Sequence, residues 1–443
     1  TGLGVSGLQE VISGALLEVA WIGFMPGFAY LSGLPPPLSG LDRLVRPRTR
    51  VPAGAVALAG GYAGIYAVAG PAGWNVVGRT DYCLFDSRTP PYAVLQPGDE
   101  VLLVAIAGSP PGAKAGKEGE PRAVLSARSK RRITVISPGL LTAVQDRGRS
   151  GVAHLGVPPA GVFDTFLAAL ANVAAGNPPE AATFEIAGGG LVVRAEVACA
   201  AALAGGGFMV IDGRSVPAGT VQWLGPGELL EVPALASGAR AYLALSGGIE
   251  VPATFGSRST DLVTGLGVGP IRAGDQIGLG GAGRARGALR AEPLPRTKRL
   301  RVLAGPDKMN PKGRSAITSM SFAVSAASDR TGVRLSPLRS PRSLRRQAPE
   351  LFSRTPSHAV VTGSVQLTSD GSATVLGPDH GTTGGYLTPF TVITADIALL
   401  AQLLPGDEVA LDPVEPAEAR AARRARRAAL AAGPSGWLLP LDT

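Results

Sequence analysis

Trp21-Ile-Gly-Phe-Met-Pro-Gly-Phe-Ala-Tyr30 and, further along, Val144-Gln-Asp-Arg-Gly-Arg-Ser-Gly-Val-Ala-His-Leu-Gly-Val-Pro-Pro-Ala-Gly-Val-Phe-Asp164 decide the fold. Each stretch joins polar groups to Gly or Pro corners, which is how a β framework turns its chain and aims side chains at a cleft. The same grammar continues outward. Val51-Pro-Ala-Gly-Ala-Val-Ala-Leu58 reads as a turn feeding an apolar strand, and Leu95-Gln-Pro-Gly-Asp-Glu-Val-Leu102 as a second. Val361-Thr-Gly-Ser-Val-Gln-Leu367 and Leu404-Pro-Gly-Asp-Glu-Val-Ala-Leu411 repeat the two designs. Gly54 and Gly98 stand 44 residues apart and Gly363 and Gly406 stand 43 apart, which points to related barrel units. A looser middle copy runs through Val216-Pro-Ala-Gly-Thr-Val-Gln-Trp223 and Ala273-Gly-Asp-Gln-Ile277.

At 443 residues the chain exceeds a single core, and ordinary domain sizes suggest about three units. With 61 Gly and 38 Pro, long helices should be few, so the expected class is mainly β with a few helices. The expected units are residues 1–107, a Pro, Gly and Lys/Arg-rich linker at 108–132, then 133–293, and 294–443 with a closing helix. Phe163 to Ala175 has helical apolar spacing and stops at Gly176-Asn-Pro-Pro, with Asp164 near its positive end. Ala417 to Ala432 is an Ala/Arg helix with little apolar face.

The formal charge of +9 is concentrated outside the expected cores: residues 108–132 alone carry a local excess of +5. No aromatic residues interleave with these charges as a stacking platform would need, so no nucleic-acid partner is expected. Cys83 and Cys199 lie far apart with no metal-ligand partner at useful spacing, and both are expected to be reduced, buried thiols of a cytoplasmic protein. His154, His358 and His380 form no ligand array, so no metal site is expected. Val51 to Gly78 lacks charge, but its Gly and Pro content suits a buried β segment better than a membrane helix. No signal peptide is visible, and a start at Thr1 leaves room for an upstream part.

Four blocks carry a first resemblance: Phe24-Met-Pro-Gly-Phe-Ala-Tyr30, Arg46-Pro-Arg-Thr-Arg-Val-Pro-Ala-Gly54, Gly64-Ile-Tyr66 and Gly73-Trp-Asn-Val-Val-Gly-Arg79. Together they resemble the C-terminal part of the 5-oxoprolinase B subunit, the allophanate hydrolase subunit 1 family. A second set comprises Gln145-Asp-Arg-Gly-Arg149, Gly161-Val-Phe-Asp164, Ala171-Asn172 with Gly176-Asn177, and Thr183-Phe-Glu185. It continues through Ala244-Leu-Ser-Gly-Gly-Ile249, Gly256-Ser-Arg-Ser-Thr-Asp261, Ser328-Asp-Arg-Thr-Gly332 and Thr382-Thr-Gly-Gly-Tyr386. This set resembles the 5-oxoprolinase C subunit, the allophanate hydrolase subunit 2 or biotin-dependent carboxyltransferase domain family. The resemblance implies a fusion built from tandem cyclophilin-like β-barrels, one in the B-like half and two in the C-like half. It also implies an ATP-dependent opening of 5-oxoproline to glutamate, with ATP and Mg2+ as cofactors and a protein like the 5-oxoprolinase A subunit as partner. A biotin-dependent carboxyltransferase and a kinase-inhibitor-type regulator are the alternatives, and a homo-oligomer is allowed.

The candidate catalytic residues are Asp329 and Arg330, an acid and a guanidinium beside Gly332, together with Asp146. An internal salt bridge fixing the turn is the structural reading of the first two. Arg46, Arg48 and Arg50 alternate along an extended segment and could hold a carboxylate or phosphate, or could simply charge a strand edge. Thr382, Thr383, Gly384 and Gly385 offer hydroxyls and approachable N–H groups, as an anion cradle or a tight turn would. Arg258 with Asp261, and Gln145 before Asp146, pose the same choice. Tyr66, Arg79, Asp164, Gln366 and Tyr386 complete the expected binding set. Gly278-Leu-Gly-Gly-Ala-Gly283 matches a dinucleotide fingerprint, but the helix that motif requires does not follow, and no P-loop exists. The sequence departs from the family in three places. The additional N-terminal α/β domain and histidine-bearing stretch do not precede Phe24, Tyr62 stands where Gln is usual, and His380-Gly replaces the usual Arg-Gln. The chain is therefore expected to be inactive alone.

Overall fold

Ala55–Ala59 explains how an uncharged segment becomes a strand buried on both faces. Ala55, Ala57 and Ala59 pack among Phe28, Tyr30, Tyr66 and Trp74, while Val56 and Leu58 point into an aliphatic cluster with Leu17, Val19, Leu31 and Ile65. Alternation with period two thus leaves small methyls where the rings need room. The strand belongs to a six-stranded antiparallel sheet in the order Asn75–Arg79, Ala55–Ala59, Tyr62–Ile65, Ala29–Ser32, Leu16–Ile22, Glu100–Leu102. Helix Val5–Ser13 precedes it, and a short ribbon of Arg48–Val51 with Gly70–Ala72 flanks it. The computed structural model describes residues 2–44, 46, 48–106, 129–281, 288–289, 298–339, 344–352, 355–431 and 438–439. Most of the basic linker and residues 282–283, the end of the GxGxxG match, lie outside them.

A five-stranded and a seven-stranded sheet enclose the next core, in which Ile133, Phe184, Leu203, Leu230 and Leu243 are fully buried. Cys199–Gly206 alternates again: Cys199, Ala201 and Leu203 face this core, whereas Ala200, Ala202 and Ala204 receive helix Thr165–Ala174. Asp164 caps that helix, accepting hydrogen bonds from the Phe166 and Leu167 amides at 3.0 and 3.1 Å. Phe163, expected inside the helix, stops short of it and packs into the third core. There, seven strands close into a barrel, with Arg299–Ala304 joined in parallel to Glu408–Pro413. Of the three units read as barrels, this one closes by hydrogen bonding all round. The other two are built as a six-stranded sheet with its two-stranded ribbon and as two sheets sharing one core.

The repeated turns are one structure. In Gln96-Pro-Gly-Asp99, Arg272-Ala-Gly-Asp275 and Leu404-Pro-Gly-Asp407 the aspartate accepts from the amide three residues back, at 2.8, 2.7 and 2.8 Å. Gly98, Gly274 and Gly406 have φ of 92°, 86° and 87°, the left-handed region that other residues avoid. Each turn also docks on a neighbouring strand through one pair of bonds, such as Gly98 N to Val19 O and Val19 N to Asp99 O. Gly225-Pro-Gly-Glu228 is a fourth copy, with glutamate in the aspartate's place, that the sequence reading passed over.

Cys199 is buried, but Cys83 is exposed, which corrects the expectation for that residue. It lies in the loop after Asn75–Arg79 rather than on an apolar strand. No helix among the described residues is long and apolar enough to cross a membrane.

Candidate functional site

The B-like sheet meets the rest of the chain through the turn at residues 24–27. Phe24 and Gly27 both have positive φ, at 65° and 68°. Gly27 donates its amide to Leu155 O at 2.9 Å, and Thr382 donates to Phe24 O at 3.2 Å. A Cβ on Gly156 would lie 2.1 Å from Met25 O, so glycine is what lets the two backbones touch. The turn is thus wedged between residues 155–156 and 381–382.

Beside this wedge opens a cleft of about 650 Å³ between the B-like sheet and the closed barrel. Arg43, Tyr62 and Trp74 line it from one side, and Ser357, Gly385 and Tyr386 from the other. Trp21 stacks on Tyr30 at 4.9 Å and meets Tyr62 edge-on at 4.9 Å, so packed rings back the Tyr62 wall of the cleft. The Tyr30 hydroxyl lies 2.9 Å from Thr383 Oγ1. Burial pushes the Tyr30 phenol up, against smaller opposing effects of Thr383, Ser357 and Arg43, and so keeps its proton in place. Arg43 reaches across the halves, donating to Gly385 O at 3.0 Å and Ser357 Oγ at 2.8 Å.

Two adjacent glycines make this possible. A Cβ on Gly384 would sit 2.2 Å from Gln366 Nε2, and one on Gly385 would sit 2.0 Å from both terminal nitrogens of Arg43. Thr383, Gly385, Tyr386 and Gln366 are therefore gathered at or beside the cleft. Arg48 is adjacent, donating to Trp74 O at 2.9 Å, and Tyr66 is buried in the aromatic core. Arg50 and Arg79 are exposed on the B-like unit.

The remaining candidates lie in a second polar region between the two C-like units. Arg330 is buried and forms a two-pronged pair with Asp379 at 2.8 and 3.0 Å, while also pairing with Glu185. Burial raises the Glu185 carboxyl, but Arg330 and Arg240 outweigh it and hold Glu185 below its ordinary value. Asp329 is exposed and accepts from the Thr331 and Gly332 amides at 2.8 and 3.1 Å, which fixes the turn. Asp146 accepts from Ser257 and Ser259 hydroxyls and from the Gly148 and Arg258 amides. These donors overcome the burial that would raise it and leave it below its ordinary value. Asp261 is buried near Asp379, and burial first, then that neighbouring charge, push it up to about 6. Gln145 donates to Thr260 O at 2.8 Å, while its Oε1 and the Nε of Arg258 are buried without a partner among the described residues. Asp164, besides capping its helix, accepts from Gln402 at 3.2 Å.

Arg43, Tyr30, Trp74 and Ser357 were missed as site residues. The adjacent glycines at 384 and 385 were the available signal, because each marks a close approach by a side chain.

A mainly β chain with two joined halves and a polar, ring-walled cleft between them defines a class, and comparison identifies it. The chain belongs to the carboxyltransferase domain family: the model of subdomains A and B matches residues 155–413, and that of subdomains C and D matches residues 1–95. Over 284 residues it is 33% identical to the 5-oxoprolinase C subunit of Escherichia coli K12, covering 62% of this chain and 89% of that one. Over 103 residues it is 40% identical to the 5-oxoprolinase B subunit of Escherichia coli O157:H7, covering 23% of this chain and 47% of the relative. The chain thus spans about half the length of that B-subunit relative. Urea amidolyase of Saccharomyces cerevisiae is 29% identical over 310 residues, covering 64% of this chain and 16% of that one. The crystal structure of TTHA0988 superposes with a TM-score of 0.81 at 35% identity, covering 93% of this chain and 81% of the other. The chain is a fusion of a part like the 5-oxoprolinase B subunit and a part like the C subunit.

Proposed function

We propose that the protein is the B/C component of an ATP-dependent 5-oxoprolinase, which opens 5-oxoproline to glutamate together with an A-subunit-like partner. The observation that carries this reading is that one polypeptide joins parts similar to the B and C subunits of 5-oxoprolinase, with a cleft lined from both. The substrate's amide resists water through resonance, and phosphorylation of its oxygen makes the ring carbon electrophilic. The cleft supplies what binding such a ring needs: flat aromatic walls at Tyr62 and Trp74, hydroxyls at Ser357 and Thr368, and the Arg43 guanidinium. ATP and its Mg2+ would supply the phosphoryl group. Arg43, the cation in the lining among the described residues, suits a phosphate as well as a carboxylate, and the sequence has no P-loop motif to offer a second cradle. In this reading Asp329, Arg330 and Asp146 stand outside the cleft, and the Arg330→Ala variant described below tests whether Arg330 acts on the ligand.

The experiment is reconstitution. Purified chain, 5-oxoproline and ATP should form glutamate when an A-subunit-like protein is added and little without it. Biotin-dependent carboxylation of urea by the same preparation would favour the carboxyltransferase reading instead. Glutamate formation by the chain alone would overturn the division of labour.

A further inference from the structure

We propose that Arg43 is the specificity residue of the cleft, selecting a small ligand by its carboxylate. The inference rests on the preceding reading only for its choice of 5-oxoproline as probe. Arg43 lines the cleft, and among the described residues Asp42 is the other charged residue in its lining. A guanidinium has five N–H donors in a planar fork, and Arg43 spends two of them on Gly385 O and Ser357 Oγ. Three donors remain for a ligand, and no carboxylate among the described residues forms a salt bridge with it. The two bonds come from the opposite half of the protein and fix the plane of the fork before any ligand arrives, which lowers the entropic cost of binding. A planar fork held in place matches a carboxylate through two parallel bonds.

Gly385 is the second half of the device. A Cβ there would lie 2.0 Å from Nη1 and Nη2 and 2.3 Å from Cζ, so the guanidinium rests where only a hydrogen can lie beneath it. The φ of Gly385 is not in the left-handed region, and the three atoms nearest an added methyl all belong to the Arg43 guanidinium. A single methyl, remote in sequence from the arginine, should therefore dislodge the fork.

The test is calorimetric titration of the full chain with 5-oxoproline and with 2-pyrrolidinone, the same lactam without its carboxylate. The parent should bind 5-oxoproline at least tenfold more tightly than pyrrolidinone. Arg43→Gln and Gly385→Ala should each erase that margin while leaving pyrrolidinone binding unchanged in a chain that stays folded, its melting temperature lowered only by the loss of the bonds to Gly385 O and Ser357 Oγ, and Arg43→Lys should restore part of the margin. The proposal fails if Arg43→Gln binds 5-oxoproline within twofold of the parent, or if the parent binds none of 5-oxoproline, glutamate and acetate. With an A-subunit-like protein supplied, unchanged kcat/KM for 5-oxoproline in Arg43→Gln sinks this proposal and spares the functional reading. Arg43-dependent carboxylate binding without any turnover does the reverse.

Discussion

The hydroxyls of Tyr30 and Thr383 meet at 2.9 Å across 353 residues of chain, tying the B-like sheet to the closed barrel. Thr383 lies two residues before the cleft-lining Gly385 and Tyr30 packs against the cleft-lining Tyr62, so the bond joins the two halves behind the cleft wall. A neutral hydrogen bond of this kind contributes about 1 kcal/mol. Tyr30→Phe and Thr383→Val should each cost about that much in denaturant titration. The double variant should cost little more than either single one, because both remove the same bond. Strictly additive costs would show that the hydroxyls act independently.

Gly156 has φ of 74°, and its missing Cβ is the space that Met25 O occupies. Cleaving the parent within residues 113–130 should leave the two halves eluting together at micromolar concentration in size-exclusion chromatography. The same cut in Gly156→Ala should release them, since an added methyl denies the wedge its seat. Separate elution of the cut parent would show that the wedge does not hold the halves unaided.

Arg330 lies between the carboxylates of Glu185 and Asp379. Removing it leaves buried negative charge without a partner, and Arg330→Ala should lose about 3–5 kcal/mol of stability. Asp329→Asn keeps an acceptor on an exposed turn and should stay within about 0.5 kcal/mol of the parent. If Arg330→Ala instead melts like the parent but abolishes turnover in the reconstituted system, Arg330 acts on the ligand.

Asp261 titrates near 6 in the folded chain, against an ordinary value of 3.8. Folding therefore favours its protonated form: the group costs nothing below about 4, and its penalty grows as pH rises toward 6. Asp261→Asn cannot ionise and escapes this penalty. Its stability relative to the parent should improve between pH 4 and 6 by an amount on the order of 2–3 kcal/mol, then level off. A difference that is flat across this window would place the Asp261 proton elsewhere.

Burial pushes the Cys199 thiol up to about 11, whereas Cys83 is exposed. In native buffer near neutral pH, Ellman's reagent should titrate one thiol per chain quickly and the second only after denaturation. Cys83→Ser should abolish the fast phase.

What could be read from sequence was whatever the chain settles locally. The Pro-Gly-Asp turns were legible because glycine supplies the left-handed φ and an aspartate one residue later closes the same loop by its side chain. Asp164 was legible at a helix start for a similar reason. Its bond to Gln402, 238 residues away, was not. Arg330 posed an even choice in sequence because Asp379 and Glu185, the partners that decide it, are 49 and 145 residues distant. Arg43 was invisible: a single arginine in a loop acquires its meaning only when Gly385, 342 residues on, comes to lie against it. Cys83 was misplaced because cysteine's general preference for burial says nothing about which loop carries it.

The wedge at residues 24–27 touches backbone at 155 and 382 through main-chain bonds, which any two chains of suitable shape could form by collision. Were these parts separate polypeptides, the fraction seated would follow mass action and fall on dilution. Carried on one chain, seating becomes a first-order event whose equilibrium is indifferent to protein concentration, with an effective local concentration set by the tether. Matched stoichiometry is then guaranteed at translation, so the cleft is completed in every molecule without any need to balance the expression of two products.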